Sequence, residues 1–470
     1  MKVPKGYVLL KKEEYEMLRK SVSRIAELER IIFMQSKRIE ELEGILKKNS
    51  SNSSRPPTSD GLKKKIKNNR IKGNKKQGAQ PGHQGNGLSL MEKVDEQIVC
   101  PVKKQCECGA NLNRIEVIRI EKRQVIDTPK KLIYVKEYLV EVKKCKCGKE
   151  HRGDCVYEQR VQYGEGIKGL LVYFNQYQFI PNDRLQEMMK DLFGLSLSDG
   201  LIFSSATTCF NNLINTVEMI KEGLKESTLI HNDETGIRCE GKTQYIHCAS
   251  NERLTHFAIH SKRGCEAIDE IGILPEFRGI SVHDRWASYD RYDCVHALCN
   301  AHLLRDLKFV HEEMNRNWAK KMIGLMVDVN ERKKEGRLTA NYTTRIERKM
   351  DKIIRIALRR EPKEPYIPGK RGKIPQNKSV LLLHVFRDKK EEIMLFARNK
   401  EVPFDNNLCE RDLRMIKLKQ KISGCFRSKL GAEIFCGIRS YISTIRKQGF
   451  SVWEAIKKAL VGESNFIYQV

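Results

Sequence analysis

No run of about 18 consecutive apolar residues occurs in the 470-residue chain, which argues against a helical membrane span. The opening MKVPKGYVLLKKEEYE has neither the apolar centre nor the cleavage site of a secretory signal. A soluble, cytoplasmic protein without a membrane partner is the expectation. Acids are also scarce: 60 Asp and Glu against 88 Lys and Arg leave a formal charge of +28. Such an excess favours a polyanion, nucleic acid ahead of anionic membrane. The cysteine pattern does not suggest a disulfide scaffold. Fifteen cysteines, an odd number scattered along a long chain, fit a reducing compartment in which some bind metal and others are small buried apolar groups.

The length exceeds what one core organises, so two or three packed domains with linkers are expected. Residues 1–48 carry a heptad pattern in which Leu18, Ile25, Ile32, Ile39 and Leu46 recur every seven residues, with Leu28 and Leu42 at d positions. Branched Ile at a with Leu at d favours a two-stranded parallel coiled coil, and Gln35 at a d position would fix register at a cost in stability. Residues 49–94 read as a linker arm. Pro56 and Pro57 end the helix, and from Gly61 to Gln80 there are eight Lys or Arg and no acid. No core can form there; Lys63, Lys64, Lys65 and Arg70 are expected to touch DNA phosphates rather than to read bases.

Residues 95–160 alternate in RIEVIRIE and KLIYVKEYLVEVKK, which predicts antiparallel strands bearing two similar knuckles, CECG and CKCG. Cys106, Cys108, Cys145 and Cys147 are candidate ligands of a structural Zn²⁺, because thiolates bind zinc tetrahedrally and the turn glycines let backbone approach sulfur. One residue separates each pair where two are usual, so Cys100, His151 or Cys155 could replace a ligand. Residues 161–226 read as helices. Asn182 or Asp183 starts one, Phe193-Gly194-Leu195 breaks it, and another begins near Ser198, a helix-turn-helix-like spacing that suggests DNA binding.

From Ser227 the period becomes strand-like. STLIHNDETGI, TQYIHCAS, RLTHFAIHS and RGISVHDRW read as four strands of one sheet. Two of them deliver an acid near the carboxyl end, Asp233 and Asp284. Successive side chains on a strand face opposite ways, so Asp233 and Glu234 cannot share a site. A third acid, Glu410, starts a helix crowded with cations, including Arg414 one turn on and Lys417 and Lys421 beyond. Three carboxylates suit two Mg²⁺ ions, hard cations that keep waters and bind substrate phosphate. The rival for Glu410 is a capping box with Asn407.

The chain resembles the transposases of the insertion-sequence sixty-six family, bacterial members of the DDE group, over nearly its whole length. The resemblance is carried by NSSRPPTSD, GAQPGHQG, HNDET, HDRWASYD, HALCNAHLLRDL and FDNNLCERDLR. It implies a multidomain α/β protein in which a ribonuclease-H-like core at 227–304 and 401–470 is interrupted by a helical insertion at 305–400. It further implies that Asp233, Asp284 and Glu410 are the catalytic, metal-holding triad, using two Mg²⁺ or Mn²⁺ ions. The implied reaction is cleavage at transposon ends followed by attack of the freed 3′-hydroxyl on target DNA. The implied partners are double-stranded DNA, a second copy of the chain or more, and, in some members, accessory proteins of the same element; the implied location is the bacterial nucleoid. Cys299-x-x-His302 resembles a feature found after the second acid in several DDE lineages, for which helix-start packing is the commoner role. Two rivals stand beside this reading: a structure-specific nuclease of ribonuclease-H-like fold, and a dimeric zinc-containing DNA-binding regulator.

Overall fold

The computed structural model describes residues 8, 11–46, 48, 90–129, 132–156, 159–361 and 377–464. The chain divides into two units, residues 1–67, 161–187 and 197–470 in the first and residues 68–160 and 188–196 in the second. The arm carrying Lys63, Lys64, Lys65 and Arg70 lies outside the described residues, as do residues 362–376.

The heptad segment is one helix, α1 (Lys12–Leu46), along which Leu18, Ile25, Ile32 and Ile39 are exposed. Such a stripe is the surface that a coiled coil buries. In the second unit the alternating residues 114–121 form no strand, and Ile115, Val117, Ile118 and Ile120 are exposed. Among the described residues of that unit only two three-residue strands pair, β1 (Val142–Lys144) and β2 (Glu150–Arg152), antiparallel. The expected longer strands are thus corrected: alternation specifies a strand where another layer covers its apolar face, and a lone ribbon covers nothing.

In the first unit α2 (Glu165–Val172) runs into a π-helical turn at Tyr173–Tyr177. The next helix, α3 (Asn182–Phe193), stops where Gly194 takes a φ of +68°, the left-handed conformation that ends helices at little cost to glycine. The Ser198 hydroxyl then accepts from Leu201 N at 3.2 Å and caps α4 (Asp199–Lys225). The expected break and restart both occur.

The period-2 segment folds as an antiparallel meander of β3 (Leu229–Cys239), β4 (Lys242–Ser250) and β5 (Thr255–His260). Helix α5 (Cys265–Ile271) leads to β6 (Ile280–His283), parallel to β3, and β7 (Val295–Leu298) lies parallel to β6. The order is β5-β4-β3-β6-β7. Among the described residues of the expected insertion at 305–400 five helices occur, the first beginning just before it: α6 (Asn300–Glu312), α7 (Asn317–Lys334), α8 (Ala340–Arg360), α9 (Lys378–Asp388) and α10 (Lys390–Arg398). Then α11 (Asn407–Ser423), α12 (Lys429–Lys447) and α13 (Val452–Leu460) follow.

Both faces of the sheet are covered. Ile237, Ile246 and Phe257 pack with Leu413 and Ile416 of α11 and Phe435 of α12, while Ile230 and Ala249 pack with Ile220 and Leu224 of α4 and Ile268 of α5. Each such side chain contributes roughly 1.5–3 kcal/mol by leaving water. A third core joins α2 and α4 to α12 and α13 through Val172, Cys209, Leu213, Ile438 and Ile456, so α4 is built into the sheet-bearing unit, whereas residues 188–196 at the end of α3 fall in the second unit. Closest packing falls at Gly437, where a Cβ would sit 2.3 Å from a ring carbon of Phe210. Edge strand β5 is not left open: Thr255 N and Phe257 N donate to the hydroxyls of Thr444 (3.1 Å) and Ser440 (2.8 Å) on α12. Covering an edge this way removes a template for wrong pairing. The insertion has its own core of Leu303, Leu307, Met322, Met350 and Phe386, continuous with Val282 and Ala297 of the parallel strands. Among the described residues no helix is long and apolar enough to cross a membrane.

Candidate functional site

Parallel pairing sets Leu229 opposite Ile280 and His231 opposite Val282. Beyond the last of these pairs stand Asp233, on β3, and Asp284, just past the end of β6, near enough that the Asp284 charge acts on Asp233. Asp284 directly follows β6, and its Oδ1 accepts from Trp286 N at 2.8 Å, fixing the turn out of the strand. Glu410 arrives on α11, whose start is pinned by Asn406. The buried Asn406 amide donates to the carbonyl of Asn232 at 2.8 Å, and its Oδ1 meets His231 Nδ1 at 2.7 Å. Because Asn232 precedes Asp233, these bonds tie the first turn of α11 to the strand that carries the first acid.

The capping-box alternative is overturned. The helix is capped by Asn406, not Asn407, which moves Glu410 one position too far along to reach back to the cap. Glu410 Oε1 is buried and has no hydrogen-bond partner. A carboxylate oxygen left in that condition is costly unless something binds it.

Burial pushes the Asp233 carboxyl up to about 8, and the negative charges of Glu234, Asp284 and Glu410 add to the effect against a hydrogen bond from Glu234 N at 2.8 Å. An Asp233 carboxyl that resists ionising beside other acids marks a donor set that a divalent cation would neutralise, so these residues fit a hard metal ion. Glu234 is engaged elsewhere, as strand alternation requires. It pairs with Arg263 at 2.6 Å and accepts from the Tyr289 hydroxyl at 2.5 Å, while the Arg263 guanidinium stacks 3.5 Å from the Trp286 ring centroid. This brace holds the segment that follows Asp284. Nor is either nearby histidine free. His283 Nε2 meets His296 Nδ1 at 2.9 Å, its ring lies 4.6 Å from that of Tyr289, and burial pushes it down to about 4. Burial also lowers His231, which is bound to Asn406.

Cys299 is the cap residue of α6, and its sulfur accepts from Asn406 N at 3.2 Å. Its side chain makes no hydrogen bond that caps α6 itself, so of the roles expected for it the packing one is seen. His302 stands one turn on, and the missing second contributor is Glu410: Cys299 Sγ, a His302 ring nitrogen and a Glu410 oxygen lie within 4.8 Å of one another. Sequence spacing could not reveal that grouping, because Glu410 belongs to another helix.

On α11, Arg414 and Lys421 are exposed. Lys417 is exposed as well, and its ammonium donates to the Gly236 carbonyl of β3. Reach explains this: two turns along, α11 still lies against the sheet, and a lysine stem spans the gap. A further cationic stripe is on the insertion. Arg345, Arg348, Lys349, Lys352, Arg355 and Arg359 of α8 are exposed, opposite buried Ile346, Met350 and Ile354.

In the second unit the two knuckles adopt the same turn. Gly109 N donates to Cys106 O and Gly148 N to Cys145 O, each at 2.9 Å, with φ of +89° and +87° at the glycines. The Cys108 thiol is pulled down by the Ala110 backbone and Cys106, and that of Cys145 by the backbone and thiol of Cys147. Each knuckle is thus a two-thiol pincer. The sulfurs of Cys106, Cys108, Cys145 and Cys147 do not gather into one ligand set; among the described residues the three-ligand group is Cys299, His302 and Glu410.

A family model described as transposase IS66 family matches residues 160–434, a span holding all five strands of the large sheet and the three acids. A model for a family of unknown function matches residues 6–89. Among curated proteins none matches the chain. The protein is thus of the transposase class, DNA-binding and dependent on divalent metal. More particularly, the chain belongs to the transposase IS66 family.

Proposed function

We propose that the chain cleaves DNA strands at transposon ends and joins them to target DNA, on a ribonuclease-H-like core, with Asp233, Asp284 and Glu410 as the ligands of two Mg²⁺ or Mn²⁺ ions. The observation that carries this reading is the charge cluster itself: Asp233 is pushed up to about 8 by burial and by Glu234, Asp284 and Glu410, with Glu410 Oε1 unpartnered. The ions would activate the attacking water or 3′-hydroxyl and stabilise the departing oxygen. Asp233 and Asp284 hold their positions from adjacent strands, Asn406 holds the start of the helix bearing Glu410, and the Glu234–Arg263–Tyr289 brace keeps the Asp284 turn in place. Arg414, Lys421, the α8 stripe and the arm cations Lys63, Lys64, Lys65 and Arg70 grip backbone phosphates, an electrostatic and sequence-independent role. The α3–α4 hairpin contributes to recognition of the transposon ends, α1 pairs two copies of the chain, and the cysteine knuckles take Zn²⁺ once they converge.

The test is a cleavage assay on transposon-end DNA. Asp233→Asn, Asp284→Asn and Glu410→Gln should each lose strand cleavage by at least 100-fold (about 3 kcal/mol of barrier) while end binding persists, since each removes a metal ligand and leaves every phosphate-binding cation in place. Full cleavage by any one of them refutes the assignment. Joining of precleaved ends to a target separates a transposase from a nuclease that only cuts.

A further inference from the structure

The acid proposed to bind a hard ion also faces a soft donor pair. Cys299 is only 2% exposed, and its backbone is fixed on both sides, Cys299 N donating to His283 O at 2.8 Å and Asn300 N to Phe404 O at 3.0 Å. As the cap and third residue of α6, Cys299 and His302 lie on one face of the first helical turn. Two of the three converging side chains have a buried atom without any hydrogen-bond partner, His302 Nδ1 and Glu410 Oε1. All three ligand atoms fit within 4.8 Å. Packing alone does not account for two neighbouring side chains that each carry an orphaned buried polar atom, since each costs about 1–3 kcal/mol unless satisfied.

The chemistry of the set selects the ion. Thiolate, imidazole and carboxylate are the ligands of Zn²⁺, which takes three protein groups and leaves a fourth position open in sites that are not purely structural. Mg²⁺ demands oxygen ligands and would not use the sulfur or the nitrogen. We propose that Cys299, His302 and Glu410 form a Zn²⁺ site distinct from the cysteine knuckles, in which Glu410 is shared between a soft ion on the α6 side and the hard ions on the Asp233 side. Only the sharing rests on the catalytic reading; the three-ligand site stands without it.

The test is zinc content after equilibrium dialysis of the full-length chain against micromolar Zn²⁺ with excess Mg²⁺, compared between wild type, Cys299→Ala and His302→Gln. Both variants should hold one zinc fewer per chain than wild type. Zinc in the knuckles is common to all three proteins, so the difference isolates the site. Equal zinc content in all three overturns the proposal. Should Cys299→Ala fail to fold by circular dichroism, His302→Gln, at a partly buried position, decides in the same way. Glu410→Gln separates the two readings: unchanged zinc with lost cleavage defeats the zinc site alone, whereas one zinc fewer with intact cleavage defeats the catalytic assignment alone.

Discussion

Asp233→Asn is expected to stabilise the metal-free protein while abolishing its chemistry. The Asp233 carboxyl is raised from the ordinary 3.8 to about 8, first by burial and then by neighbouring acids. Between those two pH values the folded chain keeps a proton that the unfolded chain has released. Wild-type stability therefore falls as pH rises through this window, by up to about 1.4 kcal/mol per unit, and the loss is complete above about pH 8. Asparagine has no proton to hold and can still accept from Glu234 N. Its advantage should be absent near pH 4 and grow through neutrality. It should level off at no more than about 6 kcal/mol, or about half that where water reaches the cluster. Urea unfolding in EDTA at several pH values measures it. Adding Mg²⁺ should then stabilise wild type and not the variant, because an ion that binds only the folded state adds stability by mass action. A variant no more stable than wild type at pH 8, or an advantage that does not change with pH, would refute the reasoning.

Three further outcomes follow from particular side chains. Asn406→Ala removes the bonds to Asn232 and His231 that pin α11, so it should cost about 1–3 kcal/mol in unfolding experiments and slow cleavage more than it weakens DNA binding. Glu234→Leu leaves Arg263 without its carboxylate and the Tyr289 hydroxyl without its acceptor, a loss of about 3 kcal/mol that a neutral melt would contradict. Reversing charge at Arg348, Lys352 and Arg355 should leave the melt unchanged and weaken DNA binding. The slope of log affinity against log salt should fall by about 0.9 for each DNA phosphate that the variant no longer neutralises; an unchanged slope removes α8 from the DNA surface.

Asp284 was legible where a strand pattern ends, whereas Asp233, expected at the carboxyl end of its strand, stands fifth of the eleven residues of β3; three of the five large-sheet strands run long enough for a period to be read. Strand β7 is only Val295–Leu298, too short to establish a period, yet it completes the parallel half of the sheet. The α3–α4 break was legible for a local reason, a glycine followed by a serine cap. What stayed hidden depends on distant partners. The parallel register that sets Asp233 beside Asp284 is a property of two strands about fifty residues apart, which no local pattern specifies. A slip of one residue at the start of α11 converts Glu410 from a capping group into an unpartnered acid, and helix ends are where sequence patterns are least exact. RIEVIRIE has the alternation of a strand and no strand is formed, since alternation records a preference that only a covering layer can realise. Lys417 belongs to the same lesson: on the helix surface it is one more cation, and only the fold places Gly236 within its reach.

The most direct measurement is anomalous diffraction from crystals of the wild-type chain bound to transposon-end DNA and saturated with Mn²⁺. Manganese peaks coordinated by Asp233, Asp284 and Glu410 are the expected result. Density showing the three carboxylates without manganese, in a complex that still cleaves its DNA when Mn²⁺ is present, would contradict the account.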